Sequence, residues 1–238
     1  MFTRERHRQI AVLLGTLDAD LLRTHRCLFG GGTAIALRFG EFRESVDVDF
    51  LVSDQAGYRN LRQKMTGPDG FASILANGRL HTEVSLASDL LTDQYGIRAR
   101  LRVNDLPIKF EIVFEGRLSL EAPQQADTVC GISCLTLRDM IASKLLANSD
   151  RYGDDSTFSR DLIDLALIPC QAQDFRAALA RAEAAYGSAV KRDLLRAIAK
   201  VASQPSWLDR CISAMAISIP RALLWQRIRA LQRRLPAA

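Results

Sequence analysis

Two aspartates one residue apart, Asp47 and Asp49, stand in the run Ser45-Val46-Asp47-Val48-Asp49-Phe50. Strand alternation places Val46, Val48, Phe50 and Val52 on one face and both carboxylates on the other. Carboxylates this close repel each other unless a cation lies between them. Oxygen ligands of this kind suit magnesium bound together with substrate phosphates. Just upstream, in RCLFGGGTAIAL, three glycines follow a short apolar run and precede a helix expected to begin near Thr33. Free backbone N–H groups at such a helix start favour a phosphate. Neither familiar phosphate loop is present, since no Gly-Lys-Ser/Thr follows and position 35, where a dinucleotide fingerprint needs glycine, is Ile35. Gly31, Gly32, Thr33, Asp47 and Asp49 together predict phosphate donors and metal ligands facing one pocket.

Further carboxylates and a cation extend this set. In IKFEIVFE, Glu111 alternates with buried-type neighbours and is a candidate third metal ligand. An ordinary strand glutamate paired with Lys109 or a neighbour explains it equally well. In LTLRDMIASKLLANSDR, Thr136 and Asp139 have capping-box spacing, and Lys144 falls inside the apolar stripe of Leu137, Met140 and Ile141. A lysine there can snorkel, but the expectation is that it meets a triphosphate. Asp161 and Asp164 lie one turn apart on an otherwise apolar helix and need partners, with Arg151, Arg160 or Lys144 available. A structural ion pair and a substrate contact account for them equally.

These residues need elements to position them. The chain has 238 residues, 48% of them hydrophobic and 25% charged, with a net charge of +5, so a folded core is expected. Helical periodicity runs from Arg4 to His25, with β-type runs at 46–52, 97–103 and 108–114. Beyond about residue 121 every long segment reads as helix, broken near Pro169, Gly187, Pro205 and Pro220. The expected organisation is therefore a mixed α/β domain over 1–120 and a helical domain over 121–238 that completes a nucleotide cleft. No apolar stretch approaches membrane-spanning length, and the charged, Asp-interrupted first segment does not read as a signal peptide. Five cysteines at irregular positions suit a reducing cytosol. His7, His25 and His81 show no metal spacing and read as surface or helix-end residues. Trp207 and Trp225 read as packing residues of the helical half. Arg221, Arg227, Arg229, Arg233 and Arg234 crowd the last segment, either as a polyanion-binding face or as a solvated one.

The GGTAIAL turn with RESVDVDF (43–50), followed far downstream by Lys144, Arg151 and RDLIDL (160–165), resembles the AbiEii-type nucleotidyltransferase toxins of the DNA polymerase β-like superfamily. The resemblance implies an α+β fold: a polymerase β-like nucleotidyltransferase domain with a small mixed sheet, then a helical C-terminal bundle. It implies magnesium-dependent transfer of a nucleotide from an NTP to an acceptor, tRNA foremost, by a cytoplasmic toxin with a cognate antitoxin, in a toxin–antitoxin or phage-defence system. It carries site roles to Gly32, Thr33, Ser45, Asp47, Asp49, Lys144 and Asp161, with Arg43 as a phosphate contact. Thr33 stands where the superfamily commonly has serine, and Glu111 stands for a third aspartate. Two other readings remain: a small-molecule nucleotidyltransferase of the aminoglycoside-modifying type, and a non-catalytic binder of RNA or protein on the same fold.

Overall fold

The computed structural model describes residues 2–78 and 83–236, so His81 lies outside the described residues. Contacts divide the chain into two units, one comprising residues 1–38 and 45–136, the other residues 39–44 and 137–238.

The first unit is a mixed sheet with helices on one face. β1 (Leu28–Gly30), β2 (Asp47–Val52), β6 (Leu106–Phe114), β5 (Gly96–Val103) and β3 (Val84–Leu86) lie side by side in that order, and β4 (Leu91–Thr92) adds to β5. Among the described strand pairs of this sheet, β2–β6 is parallel and the others antiparallel. Alternation explains the layering. Val48, Phe50 and Val52 of β2 share a face with Ile108, Phe110 and Ile112 of β6 and with Ile97, Ala99, Leu101 and Val103 of β5, and all are at most 4% exposed. Rings tie this face together: Phe29 to Phe50 at 5.5 Å, Phe50 to Phe110 at 5.6 Å and Phe110 to Phe71 at 5.1 Å.

The helical stretch expected over residues 4–25 is two helices, α1 (Glu5–Thr16) and α2 (Ala19–Thr24). Leu17 turns extended, the Asp18 N–H bonds to the Ile74 carbonyl, and the Asp18 side chain caps α2 through the Leu21 N–H at 2.9 Å. Helix α3 (Gly31–Arg38) opens two residues earlier than expected, and α4 (Gln55–Met65) follows β2 with Asp54 as its N-cap. Strand structure persists past residue 121, because β7 (Thr128–Val129) and β8 (Ile132–Ser133) form a short hairpin.

The second unit holds α5 (Leu137–Arg151), α6 (Arg160–Leu167), α7 (Ala172–Tyr186), α8 (Ala189–Ser203), α9 (Pro205–Ala214) and α10 (Arg221–Arg234). α5 contacts α6, α7 and α8, and α10 lies on α6. Segment 39–44 joins this unit through backbone bonds from Glu44 N–H to the Met215 carbonyl and from Ser218 N–H to the Phe42 carbonyl, both 2.9 Å. Trp207 is buried, stacks on Phe158 and donates from Nε1 to Ser159 Oγ at 2.9 Å. That bond holds Phe158 and Ser159, both left-handed, where the chain enters α6. Among the described residues no helix is long and apolar enough to cross a membrane.

Candidate active site

In the first unit the glycine turn and the strand aspartates meet. Gly31 starts α3 with φ +67°, and a Cβ placed on it would lie 3.0 Å from Asp49 Cβ and closer still to Oδ2. Glycine is required there twice over, by the left-handed backbone and by the carboxylate lying against it. Asp49 is thereby fixed beside the first turn of α3, whose N–H groups have no partner within the helix.

Thr33, 1% exposed, ties the two elements together. Its hydroxyl donates to the Asp47 carbonyl, and Ser45 Oγ lies 2.8 Å away within hydrogen-bond range. A threonine serves because the hydroxyl is the working group, and the methyl is buried with it. Behind Ser45 stands His7, fully buried on α1, whose Nε2 accepts the Ser45 N–H at 3.2 Å. His7 thus stands near a helix end, in the first turn of α1, but is buried rather than at the surface. An acceptor Nε2 fixes the neutral tautomer with its proton on Nδ1. His25 stands at a helix end, as the C-cap of α2.

Glu111 lies in register with Asp49 across the parallel β2–β6 pair, and so shares its face. Its carboxylate pairs with Lys109 Nζ at 2.9 Å and with Arg98 Nε at 3.4 Å. Among the described residues no three His, Cys, Asp or Glu side chains gather as a metal-binding group. Two carboxylates are nonetheless enough for magnesium, which commonly takes one or two from the protein and the rest from water and phosphate.

The second unit holds a buried charge network. Lys144 Nζ lies 2.8 Å from Asp161 Oδ1 and 2.7 Å from Asp164 Oδ2. Arg151 forks onto Asp161 at 2.7 and 3.0 Å. Arg43, expected at a phosphate, is found with only 4% of its side chain exposed and with Nε and Nη2 donating to Asp164 at 2.7 and 2.9 Å. Helical spacing aligns Asp161 and Asp164 one turn apart, so both face the α5 lysine. Burial opposes ionisation of Asp161, but the Lys144 charge and the Arg151 hydrogen bonds outweigh it and hold the carboxyl well below the usual range. Lys144, Arg151 and Arg43 thus converge on the two carboxylates of Asp161 and Asp164. Asp139, by contrast, pairs with Arg181 at 2.7 Å.

Two features were missed from the sequence. Nothing around His7 marks it as the support of Ser45. Arg98, Arg100 and Arg102 could have been found from the alternation in GIRARLRV, which puts all three on the face of β5 opposite its core.

The chain matches the family described as Nucleotidyl transferase AbiEii toxin, Type IV TA system, over residues 13–235. Among solved structures it is similar to JHP933 from Helicobacter pylori, at 15% identity and TM-score 0.50 over 99% of this chain and 95% of that one. It is also similar to MenT4, a nucleotidyltransferase toxin from Mycobacterium tuberculosis, at 16% identity and TM-score 0.51 over 98% of this chain and 87% of that one. At these identities the likeness concerns the fold, a mixed α+β fold with a small mixed sheet and helices. No curated protein sequence matches the chain. With a glycine turn set against paired strand aspartates and a family match along nearly its whole length, this chain belongs to the AbiEii family of nucleotidyltransferase toxins of type IV toxin–antitoxin systems.

Proposed function

We propose that the toxin transfers a nucleotide from an NTP to RNA, tRNA foremost, in a magnesium-dependent reaction in the cytoplasm, and that a cognate antitoxin restrains it in a toxin–antitoxin or phage-defence setting. The observation that carries this reading is the Asp49 carboxylate lying against the Gly31 turn, with Asp47 two residues away on the same strand face. Asp47 and Asp49 would hold the metal ion, which supplies neutralising charge to triphosphate oxygens.

The chain's own groups do the rest. N–H groups at Gly31, Gly32 and Thr33 donate to phosphate oxygens, while Thr33 and Ser45 keep the Asp47 backbone in place. Lys144 is assigned to the triphosphate charge, with Asp161 as the carboxylate that orients its ammonium. In this reading Arg43 acts through Asp164 rather than on phosphate. An acceptor hydroxyl attacks the α-phosphorus in line, the new O–P bond replaces the α–β phosphoanhydride bond, and pyrophosphate leaves. Glu111, beside Asp49, is assigned the released proton. Positioning and charge stabilisation supply most of the acceleration.

The test uses purified toxin, each labelled NTP and total RNA. Label should enter RNA with magnesium and not with chelator, and Asp49→Asn should lower the rate by about 10³-fold or more. Full transfer by Asp49→Asn would overturn the metal assignment. Label on a small molecule but not on RNA would overturn the acceptor.

A further inference from the structure

The face of the first unit's sheet that carries the aspartates also carries a row of arginines. Register pairs share a face, so Asp49, Glu111 and Arg98 form one row across β2, β6 and β5, and Asp47, Lys109 and Arg100 form the next. Arg102 follows two residues beyond Arg100, opposite Pro107. With strands about 4.8 Å apart, Arg100 is rooted roughly 10 Å from Asp47.

The charges along these rows are not equally engaged. Glu111 is taken by Lys109 and Arg98, and Arg98 also pairs with Asp93 at 2.9 Å. Arg100 and Arg102 are exposed, and among the described residues neither side chain has an ion-pair partner. Arginines of this kind, without an acid beside them on a strand face, are set to meet a polyanion. Their spacing suits one as well. Alternate residues on a strand stand about 6.8 Å apart, close to the phosphate repeat of an extended nucleic-acid strand. Tyr95, 65% exposed at the turn into β5, adds an aromatic surface of the kind on which bases stack.

We propose that this open sheet face is the track on which the RNA acceptor lies, with Arg100 and Arg102 binding its phosphates and leading its reactive end to Asp47 and Asp49. The inference rests on the RNA-acceptor reading above and adds where the acceptor is held. The C-terminal arginines are the rival surface. Arg221 pairs with Asp209, and Arg234 lies over Phe175 and against Cys170, which leaves Arg227, Arg229 and Arg233 exposed. The β5 pair is favoured because it shares a hydrogen-bonded sheet, and therefore a fixed spacing, with the aspartates.

The experiment compares full-length wild type, Arg100→Ala/Arg102→Ala, Arg100→Lys/Arg102→Lys and Arg229→Ala/Arg233→Ala, using fluorescent tRNA, polyglutamate as a competing polyanion, and labelled transfer. The β5 alanine pair should weaken tRNA binding about tenfold or more and lower the salt slope by roughly 1.5. KM for RNA should rise, while kcat at saturating RNA and stabilisation by NTP with magnesium stay at wild-type values. The lysine pair should recover most of the affinity, because phosphate contact needs charge more than the guanidinium fork. Wild-type tRNA affinity in the β5 alanine pair, loss confined to the α10 pair, or loss of polyglutamate binding alone would each overturn the track. Weakened binding by the β5 pair without any RNA labelling by wild type would keep the track and sink the transfer reading. RNA labelling by the β5 pair with a wild-type KM for RNA would do the reverse.

Discussion

Two pairs of aspartates, alike in chemistry, are treated in opposite ways by the two units. Asp161 and Asp164 on α6 are 3% and 0% exposed and are clamped by Lys144, Arg151 and Arg43. Asp47 is half-buried on β2 and forms no ion pair among the described residues, and its neighbour Asp49 is set against a glycine backbone rather than sealed in a core. A carboxylate already neutralised by protein cations is architecture first, since removing a partner strands a buried charge. Asp47, on a strand face and without an ion pair among the described residues, keeps its charge for something the protein does not supply.

The sharpest test of this contrast is Asp47→Asn against Asp164→Asn. Asp47→Asn should cost about 10³-fold in transfer while its urea midpoint moves by no more than about 0.5 kcal/mol equivalent. Asp164→Asn should cost about 3–5 kcal/mol of stability, because Lys144 and Arg43 lose their shared counter-charge. Equal destabilisation by the two variants would erase the distinction. Gly31→Ala comes next. The left-handed φ costs about 1–2 kcal/mol, and the new methyl pushes on Asp49, so transfer should fall about 10²-fold. Wild-type transfer in that variant would mean the turn does not position the carboxylate.

The smallest effect concerns acid. Asp161 titrates below its ordinary value of 3.8 in the folded chain, so its stabilisation is fully present above that pH and is lost as pH falls through the folded-state value. Arg151→Ala should therefore lower stability by about 1–2 kcal/mol at neutral pH, and the gap to wild type should close below the ordinary carboxylate range. Urea midpoints followed from neutral pH down through the folded-state value of Asp161, well below pH 3.8, would show it. A gap that stays constant with pH would assign Arg151 to packing alone.

Local pattern made much of this legible. Val46 to Val52 announced β2 and the face of its aspartates, and the breakers at Pro169, Gly187, Pro205 and Pro220 marked the helical half, because periodicity and turn chemistry act between near neighbours. Leu28–Gly30 could not be read as a strand, since three residues show no period and β1 exists by pairing with β2 and bridging to Cys134. The break at Leu17 was hidden for a related reason: apolar periodicity continues across it, and the chain turns where Asp18 finds a cap and a bond to Ile74.

By itself, the sequence of this toxin determined its chemical inventory and the local faces: which acids stand together on β2, which glycines open α3, and which helix carries Asp161 and Asp164. The tertiary structure alone decided how those groups are used. It set Asp49 against Gly31, aligned Glu111 and the β5 arginines beside the aspartates, buried His7 behind Ser45, and brought Arg43 to Asp164 across 121 residues of chain. The physical reason is range. Side-chain direction follows from backbone period within a few residues, whereas register and charge pairing depend on which distant segments the core brings into contact.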